Sequence, residues 1–114
     1  MSGADCLFCR VVAGEIPAEV VHEGKRVIAF RDINPQAPTH VLVVPREHAA
    51  GVADLADADA DALAELVVTA RQVATAEGHE QFRLVFNTGS QAGQSVFHVH
   101  GHVLAGRSMR WPPG

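Results

Sequence analysis

Three histidines stand at every second position of the apolar run Phe97-His98-Val99-His100-Gly101-His102-Val103-Leu104. A period of two is that of a β-strand, where residues two apart share a face and lie about 7 Å from each other. The spacing predicts three imidazoles along one side of a strand, with Val99 and Val103 on the core side and a gap at Gly101. Two chemistries use such a row. Neutral imidazoles at i and i+2 can converge on one zinc ion that keeps an open position for water. Alternatively, one imidazole attacks as a nucleophile while its neighbours handle protons and charge. Closely spaced rings disfavour simultaneous protonation, so at least one stays neutral near pH 7.

The stretch just upstream, Asn87-Thr88-Gly89-Ser90-Gln91-Ala92-Gly93-Gln94-Ser95, holds two glycines, two serines and no charge. Glycines let backbone N–H groups turn toward a ligand, and hydroxyl and amide side chains add neutral donors, as a phosphate requires. Alone it would be a polar loop between strands. Feeding a histidine row, it reads as a phosphate cradle. The only cysteines form Cys6-Leu7-Phe8-Cys9. Cysteines three apart on one helical turn face the same way, which suits a shared metal but supplies only half a tetrahedral site. They could equally be two small buried hydrophobes.

These residues, from Gly93-Gln94-Ser95 through the three histidines, together with Asp32-Ile33, Pro35-Gln36-Ala37-Pro38-Thr39-His40 and the closing Met109-Arg110-Trp111-Pro112-Pro113-Gly114, resemble the histidine-triad superfamily of nucleotide hydrolases and transferases. The ending is similar to that of the histidine-triad nucleotide-binding protein branch, whose members cleave nucleoside phosphoramidates. Gly101 departs from the pattern, since the family usually carries a larger apolar residue there.

The resemblance implies roles residue by residue. His100 would attack the α-phosphorus through Nε2, with its Nδ1–H held by the carbonyl of His98, and His40 would lie close by and help orient it. His102, Asn87 and the backbone from Gly93 to Ser95 would hold the phosphate oxygens, and Ser95 would assist the leaving nitrogen. Asp32 would accept the ribose hydroxyls, a task suited to a carboxylate. Phe8, Val11, Phe30 and Ile33 would sandwich the purine base, although each taken singly reads as ordinary core. Cys6, Cys9, His48 and His98 would hold a structural zinc ion, with no catalytic metal required. The resemblance also implies a homodimer, and Trp111, on a proline tail that forms neither helix nor paired strand, needs a surface to dock on. Two other readings stand beside the phosphoramidate hydrolase: a dinucleoside polyphosphate hydrolase of the same superfamily, and a zinc-stabilised nucleotide-binding protein with little turnover.

The elements that must position these groups follow from pattern. Cys6 to Gly14 reads as a short helix stopped by glycine. Ile16 to His22 and Val27 to Phe30 are expected to form a hairpin about Glu23-Gly24-Lys25. Pro35 to Thr39 is a rigid connector delivering His40-Val41-Leu42-Val43-Val44, an apolar strand expected at the sheet centre. Asp54 to Glu77 has a helical period with Leu63, Leu66, Val67, Ala70, Val73 and Ala74 on one side, and Asp57, Asp59 and Asp61 favour its N-terminus. Phe82 to Phe86 is the strand that leads into the glycine loop. The expected fold is α+β: about five mostly antiparallel strands, one long helix and a short N-terminal one.

The 114 residues bound this to a single domain, 1–114, with 105–114 as a tail. Hydrophobic residues are 47% of the chain without a run long enough to span a bilayer, so no membrane partner is expected. A net charge of −4 without a basic face argues against polymeric nucleic acid. Met1 to Asp5 carries no export signal, which implies the cytoplasm.

Overall fold

A computed structural model describes residues 5–114; most of the opening segment read for an export signal lies outside them. Helix α1 spans Leu7–Val12. Strands β1 (Val20–Glu23) and β2 (Val27–Arg31) form the expected hairpin, and β3 runs Thr39–Pro45. Helices α2 (Val52–Ala58) and α3 (Ala60–Ala76) follow, then β4 (Arg83–Val85) and β5 (Gly101–Ala105). The five strands form one sheet in the order β1-β2-β3-β5-β4, every neighbouring pair antiparallel, with β3 in the centre. Among the described residues, no helix is long and apolar enough to cross a membrane.

Because side chains alternate across a strand, β2 and β3 feed two separate cores. Val27, Ala29, Val41 and Val43 join Leu55, Leu66, Ala70 and Val73 of α2 and α3. Ile28, Phe30, Leu42 and Val44, each one residue along, join Cys6, Phe8 and Val11 at the opposite face. The sheet is thus covered by α2 and α3 on one side and by α1 on part of the other. That partial cover leaves room for a site.

Three expectations are corrected. The single helix from Asp54 to Glu77 is two helices, because Asp59 leaves helical geometry (φ −156°, ψ 83°) and its side chain accepts the N–H of Ala62 at 3.0 Å. The aspartate ends one helix and caps the next, a role its short acceptor side chain fills well. The histidine row is not wholly within a strand: β5 begins at Gly101, opposite Val43. Continuing the ladder would pair Val44 with His100 and Pro45 with Val99, but Pro45 has no N–H to give, its carbonyl is taken by the His98 ring at 2.8 Å, and the Val99 N–H goes to the Ala49 carbonyl at 2.7 Å. Alternation survives all the same, since Val99 and Val103 belong to the α3-facing core. Finally, Gly101 leaves no gap. A Cβ there would meet Leu84 Cδ1 at 2.9 Å and Leu66 Cδ2 and Phe86 Cε1 at 3.2 Å each, so neighbours already fill the space.

Candidate active site and metal centre

His98 is fully buried and His100 nearly so, whereas His102 is half-buried. The Nδ1–H of His100 donates to the carbonyl of His98 at 2.8 Å, which leaves Nε2 with the free lone pair. Rings of His100 and His102 lie edge to face with centroids 4.9 Å apart, and Phe8 packs its edge on His100 at 5.0 Å. Burial lowers the pKa of His100 against the opposing pull of the His98 carbonyl bond and the Asp32 charge. For His102, burial first, then His100 and His40, bring it down to about 4. Both rings are therefore neutral at pH 7.

Before these rings opens a cavity of about 330 Å³. Its apolar walls are Phe8, Val11, Phe30, Ile33 and Leu42, with Asp32, Ser95, His100 and His102 as polar lining. Ile33 is not core at all, being fully exposed at the rim. Asp32 Oδ1 accepts the N–H of Asn34 at 2.8 Å, which fixes the carboxylate beside the cavity. His40 lies outside the lining: its Nε2 is 2.9 Å from Nδ1 of His102 and 3.4 Å from Oδ2 of Asp32. Its ring thus contacts the third histidine and not the second. Asn87 and Gly93 also stand outside the lining, next to each other, with Gly93 in the left-handed region (φ +97°). Trp111 is 85% exposed on the tail and takes no part in this cavity.

A second cluster sits behind the first. Ligand atoms of Cys6, Cys9, His48 and His98 all lie within 4.8 Å of one another. His98 Nδ1 is 3.3 Å from the sulfur of Cys6 and 3.4 Å from that of Cys9, and His48 Nδ1 is 3.5 Å from Cys9. The donor set fits zinc. The Nε2–H of His98 donates to the Pro45 carbonyl, so its Nδ1 lone pair is free and turned toward the sulfurs, as in a metal-ligating histidine. Burial, then Cys6 itself, push the Cys9 thiol up to about 11. A thiol raised this far is deprotonated when a cation arrives to hold its sulfur. Asp32, His40 and His102 make a further group of three within 4.8 Å.

One contributor, Gln36, has no side-chain signal in the sequence, because it acts through its backbone N–H and carbonyl. The Gln36 N–H donates to Nδ1 of His40 at 3.0 Å, and Arg107 in turn donates from Nε to the Gln36 carbonyl at 2.9 Å. Only the rigid proline-bounded connector hints that this backbone is held in place.

Known proteins resemble this chain over nearly its whole length. A 14 kDa zinc-binding protein of Brassica juncea is 45% identical over 113 residues, covering 96% of this chain and all of that one. The adenylylsulfatase HINT1 of Arabidopsis thaliana is 44% identical over 116 residues, covering 99% of this chain and 79% of its own. The crystal structure of a HIT family hydrolase from Legionella pneumophila Philadelphia 1 superposes with a TM-score of 0.91 at 52% identity, covering 96% of this chain and 100% of that chain. Residues 13–109 match the HIT domain family, and with the triad, the fold and these relatives in agreement, the chain belongs to the HIT family.

Proposed function

We propose that this protein is a hydrolase of purine nucleoside phosphoramidates, working through a nucleotidyl-histidine. The observation that carries the reading is the neutral His100, its Nδ1–H pinned on the His98 carbonyl and its other face at the floor of an apolar cavity beside Asp32. The base enters between Phe8, Val11, Phe30 and Ile33, and the ribose hydroxyls donate to Asp32. The Nε2 lone pair of His100 attacks the α-phosphorus. The P–N bond breaks toward nitrogen, which takes a proton relayed from solvent through the Ser95 hydroxyl and leaves as the amine; the proton released by the water of the second step returns to solvent. His102, Asn87 and the backbone at Gly93 to Ser95 balance the charge that builds on the phosphoryl oxygens. Water then attacks phosphorus, the electron pair of the P–Nε2 bond returns to His100, and the nucleoside monophosphate departs.

Zinc at Cys6, Cys9, His48 and His98 would supply structure, tying α1 to the segment that precedes β5. A closed four-ligand site has no position for water, so this zinc would stand apart from the chemistry. Elemental analysis should find about one zinc per chain by that ligand count, and chelation should lower the melting temperature. Metal-free protein with an unchanged melting temperature would refute this part. The exposed Trp111 on its proline tail supports a homodimer in which the tail docks on the second copy. The reading keeps the protein in the cytoplasm.

A second leaving group is favoured by the Arabidopsis relative, whose name describes cleavage of an adenylyl sulfate. Sulfate departs without needing a proton, so the same nucleophile serves both. The deciding experiment is turnover of adenosine phosphoramidate, adenosine 5′-phosphosulfate and diadenosine polyphosphate by the purified chain. The phosphoramidate should be hydrolysed fastest, releasing AMP. Preference for the dinucleotide, or nucleotide binding without turnover, would overturn the proposal.

A further inference from the structure

A neutral imidazole has one N–H and one free lone pair, so a hydrogen bond of known direction at one nitrogen settles the state of the other. The peptide N–H of Gln36 reaches Nδ1 of His40 at 3.0 Å. A peptide N–H can only donate. Nδ1 of His40 is therefore the acceptor, and the ring's proton is on Nε2. That Nε2–H lies 2.9 Å from Nδ1 of His102 and 3.4 Å from Asp32 Oδ2. Nδ1 of His102 accepts in its turn, which leaves its single proton on Nε2. Burial, which disfavours the doubly protonated form, lowers the pKa of both rings.

We propose that Gln36 and His40 are positioning residues that lock His102 as its Nε2–H tautomer. The lock rests on the phosphoryl-transfer reading of the cavity and deepens it. His100 gives its proton to the His98 carbonyl through Nδ1 and keeps an Nε2 lone pair, whereas His102 is held in the opposite state. Adjacent rings thus present a lone pair and a proton to the same phosphorus centre. One can attack and the other can hydrogen-bond a phosphoryl oxygen, and neither can take the other's part. The same chain disposes of the Asp32, His40 and His102 group as a cation site, since the His40 nitrogen that faces the other two carries a proton and has no lone pair to ligate with.

Long-range ¹H–¹⁵N correlation spectra of the full chain with labelled histidine, recorded without nucleotide, read these states directly. His40 and His102 should show Nε2 protonated and Nδ1 bare, and His100 the reverse. A proton on Nδ1 of His40 or His102 overturns the lock. In His40→Leu the donor to His102 is gone, so its signals should report exchanging tautomers. Its kcat should fall by about 10-fold, less than the loss of a whole transition-state donor, with KM moving by less than about 2-fold. His40→Gln, which sets an amide N–H near the lost Nε2–H, should restore the single tautomer and recover part of kcat. If His102 keeps the pure Nε2–H form in His40→Leu, the lock is refuted. The spectra involve no substrate, so the expected tautomers alongside failure to hydrolyse any phosphoramidate would sink the substrate assignment and leave the lock standing.

Discussion

Val27, Ala29, Val41 and Val43 point toward α3, and one residue along the same strands Ile28, Phe30, Leu42 and Val44 point toward α1 and the histidines. The α3 side is closed by two helices and filled with aliphatic side chains. On the α1 side a six-residue helix covers only part of the sheet, and the uncovered part is the cavity with its polar floor. The comparison teaches a division of labour within single strands. One parity of residues only fills a core, while the other fills a smaller core and also lines the cavity of the proposed chemistry, so substitutions at adjacent positions should separate stability from turnover.

The largest effect should come from the cavity side. His100→Asn removes the proposed nucleophile and should cut kcat by about 10⁴-fold or more, as loss of a covalent catalyst does elsewhere. Nucleotide binding should persist, because Asp32 and the apolar walls are untouched. Mass spectrometry of quenched wild-type enzyme should map the nucleotidyl adduct to His100, and an adduct on His98 or His102 would break the assignment.

On the helix side, Leu66 has no exposed surface. Leu66→Ala should cost about 2–5 kcal/mol in denaturant unfolding, because transfer and cavity terms add. The folded fraction should keep its kcat. A variant of normal stability and poor turnover would overturn the division between faces.

Gly101 sharpens the comparison, because it sits beside the reactive ring but faces the helices. Gly101→Val should destabilise by about 1–3 kcal/mol through overpacking against Leu84, Leu66 and Phe86. Those atoms are ends of side chains, and a loss near the lower bound is expected. Chevron analysis or equilibrium unfolding would measure it.

The smallest effect is a pH dependence. His102 titrates near 6.5 in an unfolded chain and at about 4 in the fold. A depressed folded pKa means that the unfolded state binds the proton first, so this contribution is complete above about 6.5 and fades as pH falls toward 4. The melting temperature should fall between pH 7 and pH 5, and by less in His102→Gln. Equal falls in both proteins would show that the stability loss has another source.

Much of this arrangement was legible in the chain. The period of two from His98 to Val103 placed core and site on opposite faces, and it held even where the ladder did not; Val27 to Phe30 is apolar throughout, so its two faces were not readable. The ladder's late start was hidden because its cause, the missing N–H of Pro45, lies more than fifty positions from the row it interrupts. The break at Asp59 was hidden for a different reason. An aspartate within a continuing helical period reads equally as a first-turn acid or as a cap, and only its backbone angles decide. Gln36 was invisible, since a peptide N–H is the same in every residue but proline. Ile33 was readable as core until the fold placed it at a rim.

His98 belongs to both clusters at once: its ring meets the cysteines, and its carbonyl holds the neighbouring ring. For a geneticist this makes the two clusters hard to tell apart by phenotype. An inactive allele at Cys6 or Cys9 would sort with the triad alleles, although neither cysteine lines the cavity of the proposed reaction. Second-site revertants of such an allele are then expected around the segment that carries His98, and their positions would trace how far that single peptide unit is the hinge between them.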